Sequence, residues 1–221
     1  MSAVILDISM SLDGFVAGHD PSDDEPLGRG GDRLHEWAFR TRAFRRPHGM
    51  EGGEDNEESA MVEKRLARIG AEIMGRRKYS GGAGPWEADG NANGWWGTSP
   101  PFHYPVFVLS HHARPPLPME GGTTFTFVTD GVEAALEQAH GAAGGRDVLI
   151  GGGADVAQQY LRAELVDELH LAVAPVLLGG GRRLFEHHVA QPPEGLEPAG
   201  VLASPSGTTH LSYRRRGTRS P

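Results

Sequence analysis

The chain is expected to form an α/β fold: a mostly parallel central sheet with an antiparallel C-terminal edge and helices on both faces. Three observations carry this. Strand-like and helix-like runs alternate through the middle of the chain, the pattern of βα units. Two strand-like runs, near 200–204 and 208–214, close the chain with no helical segment between them. With 221 residues and no cysteine, the chain is long enough to bury a sizeable core without disulfide staples.

The elements follow in order. Residues 3-AVILDISM-10 make a β-rich first strand with an acid, Asp7, inside it. That acid either faces a pocket or bonds to neighbouring backbone. The loop 11-SLDGFVAG-18 follows. Leu34, Trp37 and Ala38 fall at i, i+3 and i+4, predicting a helix over 32–44. Residues 46–59 are polar, Gly-rich and acidic and read as a flexible insertion. Val62, Leu66 and Ile69 define the apolar face of a second helix, which feeds a short strand at Glu72 to Met74. The long loop 82–104 carries Trp86, Trp95, Trp96 and Phe102, either as a lid over an aromatic substrate or as anchors to the core. Strands at 105–110 and 123–128 come next, then a helix capped by Thr129 or Asp130 with Val132, Ala135, Leu136 and Ala139 inward. Strand 147–150, helix 154–165 and strand 168–178 complete the middle. The whole reads as one domain over 1–214, with a frayed tail at 215–221.

Composition excludes several function classes. The lack of cysteine removes disulfides, thiolate metal sites and cysteine nucleophiles. A formal net charge of −8 argues against general nucleic-acid binding. No apolar run approaches a membrane span, and the N-terminus lacks the basic flank of a signal peptide, so a cytoplasmic protein is expected. Among the eleven histidines, the pairs His111–His112 and His187–His188 are adjacent in sequence. Adjacent side chains on a strand point to opposite faces, so no metal site is expected.

Three segments follow strands predicted to be parallel: Gly75-Arg76-Arg77-Lys78, Ser110-His111-His112 and Gly151-Gly152-Gly153. They therefore share the carboxyl edge of the sheet, where α/β folds bind ligands. Taken alone, the triple glycine is a plain turn or a phosphate cradle at a helix N-terminus. The basic triplet is a solvated surface or a set of phosphate partners. The spacing is not that of the G-x-G-x-x-G fingerprint, since Ala154 and Val156 follow.

Five segments taken together, 9-SMSLDGFVAG-18, 73-IMGRRKY-79, 107-FVLSHH-112, 148-VLIGGGADVAQQYL-161 and 166-VDELHLAVAPVLLGGGRRLF-185, span nearly the whole chain. In them the chain resembles the dihydrofolate reductase-like superfamily, and within it the riboflavin-pathway reductase branch, the RibD C-terminal domain. The resemblance implies an NADPH-dependent reductase. Such an enzyme transfers a hydride to a C=N or C=O of a small substrate such as a pterin- or pyrimidine-like heterocycle. It assigns Gly75, Arg76, Arg77 and Lys78 to the pyrophosphate and 2′-phosphate, and Ser110 with His111 to the adenosine phosphate. Gly151, Gly152, Gly153, Ala154, Asp155 and Val156 would pass beneath the nicotinamide and pyrophosphate, with Ser9, Val16 and Ala17 walling the nicotinamide. Residues 175–181 would line the substrate side. The acid that such reductases place over the substrate falls to Asp32 or Glu36, although an acid in a first helical turn is more often a helix cap or dipole partner. A homodimer is expected, with the C-terminal strands 201–213 as its surface. The other reading is an NADP(H)-binding homodimeric protein without turnover.

Overall fold

The computed structural model describes residues 2–22, 25–82, 84–185 and 195–217. The end of the expected tail and the pair His187–His188 lie outside the described residues. In chain order the strands are β1 (Val4–Ser11), β2 (Phe15–Ala17), β3 (Ile69–Gly75), β4 (Pro105–Leu109), β5 (Leu117–Pro118) and β6 (Thr124–Val128). They continue as β7 (Asp147–Ile150), β8 (Glu168–Ala174), β9 (Arg182–Arg183), β10 (Leu196–Ala203) and β11 (Thr209–Arg215). The helices are α1 (Glu36–Phe39), α2 (Arg42–Arg45), α3 (Glu57–Leu66), α4 (Arg76–Ser80), α5 (Val132–Ala142) and α6 (Ala154–Arg162).

Nine strands form one sheet in the order β10-β11-β8-β1-β7-β3-β4-β6-β5. The six from β8 to β6 are mutually parallel; β11 and β5 run antiparallel to them, and the edge strand β10 pairs antiparallel with β11. The mixed sheet anticipated from the alternating pattern is therefore present, with an additional short antiparallel strand at the far edge. A separate two-stranded pair joins β2 to β9.

The two faces of the sheet differ in chemistry. On one, Leu6, Ala71, Ile73, Val148, Ile150, Leu169 and Leu171 form a core with α5 and α6, including the fully buried Ala135, Ala139 and Ala157. Tyr160 belongs to it because its hydroxyl donates to the Val132 carbonyl at 2.7 Å, which satisfies its buried polar end. The other face is polar beneath α3. Asp7, His170 and Ser212 lie side by side in register across β1, β8 and β11. Arg65 of α3 reaches all three, at 3.2 Å from Asp7 Oδ2, 3.2 Å from His170 Nδ1 and 3.4 Å from Ser212 Oγ. Asp7 is thus an ion-pair partner of a helix. Further along this face, Met74, Val106, Val108, Phe125 and Phe127 make a second core with Tyr79 and Trp86.

Several local expectations change. The helix expected over 32–44 is three short pieces: a 3₁₀ turn at Gly31–Leu34, then α1, then α2. The break falls at the buried Thr41, whose side chain accepts from the Phe44 N–H and restarts the helix. Within 46–59, residues Arg46–His48 form a 3₁₀ turn, and α3 begins at Glu57 with Asn56 as its cap. The inward residues of α3 are Glu58 and Ser59, whereas Leu66 is exposed and Ile69 starts β3. The helix faces the polar side of the sheet, so its apolar period misleads. Gly131, not Thr129 or Asp130, is the N-cap of α5, with no side-chain bond. Strand β8 ends at Ala174, short of the expected 178.

In the long loop 82–104, Trp86 is buried against Tyr79 and Phe127, and its indole N–H donates to the His112 carbonyl at 2.9 Å. Trp96 stands edge-on to Phe102. These two side chains anchor the loop to the second core.

Candidate functional site

The site is built where β3 and β7 end. The Gly75 N–H donates to the Gly152 carbonyl at 2.8 Å, and the Gly151 N–H donates to the Ile73 carbonyl at 2.9 Å. These bonds bring the starts of α4 and α6 side by side. Each residue of the triple glycine has a different reason to lack a side chain. A Cβ at Gly151 would collide with Glu72 Oε1 and lie 2.6 Å from Lys78 Nζ. Gly152 has φ +85°, a conformation that disfavours any L side chain. A Cβ at Gly153 would meet nothing within 4 Å, so the chain passes an open space there. The Gly152–Gly153 peptide bond is cis.

Gly153 is the N-cap of α6 and no side chain caps it. The first N–H groups of the helix, those of Ala154, Asp155 and Val156, therefore have no acceptor within the helix and sit at its positive dipole end. Val156 packs against Gly75 closely enough that a Cβ there would come within 2.9 Å of its Cγ2. On the neighbouring strand Leu109 pairs with Gly75, which places Ser110 on the same edge. The Ser110 hydroxyl is engaged locally with the His112 backbone, and His111 is exposed. On the far side, Ser9 is buried and accepts from the Trp37 indole N–H at 3.1 Å. Val16 is buried and Ala17 partly so, both in β2.

The basic triplet divides. Arg76 is buried, lies 3.4 Å over the Trp86 ring and pairs with Asp89 and Ser80. Its Nε and Nη2 have no hydrogen-bond partner among the described residues. Arg77 is exposed and pairs with Asp155 at 2.9 Å, tying α4 to α6. Lys78 lies 2.8 Å from Glu72, a strand carboxylate with only 2 % of its side chain exposed. The other Glu72 oxygen takes the Tyr104 hydroxyl at 3.2 Å.

Asp32 and Glu36 are both exposed, and the buried residues of their turns are Gly31, Leu34 and Ala38. Inward chemistry on this segment comes from residues that the sequence did not single out as a site. Trp37 bonds Ser9, and burial pushes the His35 imidazole down to about 4, with the charge of Lys78 adding to the effect and Asp32 opposing it. An acid inside an otherwise apolar strand was the available signal for Glu72. The second triple glycine is a turn pressed against other backbone: a Cβ at Gly181 would run into the Ala17 carbonyl and Gly18. Asp13 holds this turn by accepting from the Leu178 and Gly179 N–H groups at 3.2 and 2.7 Å. The Ser11 hydroxyl, followed by these backbone donors, lowers its carboxyl to about 2.

Among the described residues no group of His, Asp and Glu is placed to hold a metal ion, and no helix is long and apolar enough to cross a membrane.

The family profile of the RibD C-terminal domain matches residues 2–208. The chain belongs to this family. Among solved structures, it resembles a protein from Shewanella sp. PV-4 provisionally assigned to riboflavin biosynthesis, with a TM-score of 0.61 and 21% identity over 97% of this chain and 99% of that one. It also resembles a diaminohydroxyphosphoribosylaminopyrimidine deaminase/5-amino-6-(5-phosphoribosylamino)uracil reductase from Thermotoga maritima. There the TM-score is 0.57 and the identity 14%, over 97% of this chain and 56% of that one. At these identities the likeness shows the fold. Among curated proteins none matches. The RibD C-terminal domain fold thus accounts for the mixed sheet.

Proposed function

We propose that this RibD C-terminal domain protein is an NADPH-dependent reductase that transfers a hydride to a C=N or C=O of a small, pyrimidine-like heterocycle. The observation that carries the reading is the junction of Gly75 with Gly152, which sets an uncapped helix N-terminus beside an open glycine. Backbone N–H groups at such an end favour a diphosphate. The two unpartnered donors of Arg76 add buried cationic hydrogen-bonding capacity on the same edge.

The residues present fit a phosphorylated dinucleotide. Gly75, Gly151, Gly152, Gly153, Ala154, Asp155 and Val156 would hold the diphosphate and pass under the nicotinamide, with Ser9, Val16 and Ala17 walling it. Arg77 would take the 2′-phosphate, since its exposed pair with Asp155 is worth only about 0–1 kcal/mol and opens at little cost. Ser110 and His111 would flank the adenosine. Bound NADPH supplies the hydride; the protein orients it, excludes water and binds the acceptor. The pyrimidine-like acceptor rests on family membership and on the uracil reductase named for the Thermotoga relative. Neither Asp32 nor Glu36, both exposed, is retained as a proton donor, and bulk or bound water would serve.

Fluorescence titration of the protein with NADPH and NADH tests the reading. Binding of NADPH at least tenfold tighter than NADH supports it. Binding of neither overturns it. Tight binding with no oxidation by 5-amino-6-(5-phosphoribosylamino)uracil or related carbonyl compounds would favour the alternative of an NADP(H)-binding protein without turnover.

The same proposal includes a homodimer formed at the β10–β11 edge. There six of the eight residues of β10 are exposed, including Val201 with 70% of its surface free.

A further inference from the structure

The basic triplet looks like a single phosphate clamp in sequence, but its third member does not share the surroundings of the other two. Arg77 joins α6, and Arg76 is enclosed by Trp86 and Asp89. Lys78 is turned to the polar face of the sheet, where Glu72 holds it at 2.8 Å. That face also carries Ser9, and the segment covering it contains Trp37 and His35.

We infer that Lys78 is the substrate-side cation of the site: its ammonium, held from behind by Glu72, donates to a ring carbonyl of the heterocyclic acceptor rather than to a cofactor phosphate. This rests on the reductase reading above.

Three observations carry it. First, Glu72 is almost fully buried and is fixed on its other oxygen by Tyr104, so the lysine is anchored from one side only. An ammonium has three donors, and the Lys78 side chain remains 29% exposed, leaving N–H groups for a ligand. Second, the pair is electrically neutral as a unit. A phosphate on Lys78 would stand close to the buried Glu72 carboxylate and be repelled, whereas a neutral carbonyl oxygen meets a polarised donor and no such repulsion. Third, Gly151 is glycine because this pair occupies the space of its side chain. The triple glycine therefore serves two ligands on its two sides, the open Gly153 toward the dinucleotide and Gly151 toward the lysine. The depressed His35 imidazole, lowered by burial and then by the charge of Lys78, shows the lysine acting on the segment that covers this face.

The test compares wild type with K78M, K78R and the double variant E72Q/K78M, which leaves no unpaired buried carboxylate if K78M alone folds poorly. NADPH affinity is measured by fluorescence, and binding of 5,6-diaminouracil to the NADP⁺-loaded protein by calorimetry. The expected result is NADPH affinity within twofold of wild type in both methionine variants, diaminouracil affinity down at least tenfold, and partial recovery in K78R. Retention of diaminouracil affinity in the methionine variants overturns the inference, and a concurrent tenfold loss of NADPH would return Lys78 to the phosphate set. A wild-type protein that binds NADPH but not diaminouracil overturns the ligand class alone. One that binds no NADPH overturns the reductase reading beneath it.

Discussion

Gly75 and Gly152 are joined by a 2.8 Å backbone hydrogen bond, and a Cβ on Gly75 would press against Val156. This contact holds the first turn of α6 against the end of β3, and with it the geometry of the proposed diphosphate cradle. The substitution G75A should therefore cost about 1–3 kcal/mol through overpacking and weaken NADPH binding severalfold. Trimming the partner, in G75A/V156A, should restore part of both. Thermal denaturation and NADPH titration of the three proteins check this; equal losses in the single and double variants would exclude the steric cause.

Arg77 offers a separable prediction because its pair with Asp155 is exposed on both sides. R77Q should leave stability within about 0.5 kcal/mol of wild type. It should reduce NADPH affinity about tenfold, as expected for loss of a charge-assisted phosphate contact, and leave NADH affinity unchanged. D155N, which frees Arg77, should tighten NADPH. Titration of both cofactors against each variant decides the matter.

His35 gives a pH dependence. Its imidazole is lowered from 6.5 to about 4 in the folded protein, chiefly by burial and then by Lys78. Between those values the unfolded chain binds the proton and the folded protein does not, so stability falls as pH drops from about 6.5 to about 4. The loss is at most about 3 kcal/mol. H35F should flatten this part of the urea-denaturation profile. A second acid loss should remain at lower pH. Hydrogen bonding from His170, then Arg68, lowers the Glu168 carboxyl to about 2, so its contribution is present above 4.5 and fades toward 2.

The exposed edge carries the last prediction. Val201 stands in an edge strand whose backbone is blunted by Pro198 and an irregularity between Pro198 and Gly200. Association there depends on side-chain surface more than on strand pairing. V201E should shift the protein from dimer to monomer in light scattering without lowering its melting temperature. A wild-type protein that is monomeric at micromolar concentration removes the dimer.

Much of the fold follows from local pattern. The alternation of Thr and Phe in β6 assigns its buried face, and the spacing of Ala135, Leu136 and Ala139 orients α5. Chain order also places Gly75, Ser110 and Gly151 on one edge once the strands are read as parallel. Local pattern fails where a polar face is buried. The Val62–Leu66 period suggested an apolar helix surface, but α3 meets the sheet with Glu58, bonded to His210, and Arg65, bonded to Asp7, while its buried Ser59 accepts from the Ala43 N–H of α2.

By itself the sequence determined eight of the nine strands of the sheet, the edge on which the glycine and basic motifs meet, and the family. These depend on periodicity and on motif order, which a linear chain records directly. Only the tertiary structure decided how 76-RRK-78 divides and why each glycine of 151–153 is needed. A cation's role depends on which acid lies beside it, and the acids here come from positions 72, 89 and 155 on three different segments. A glycine's role depends on what stands where its side chain would be, which for Gly151 is a carboxylate delivered from another strand.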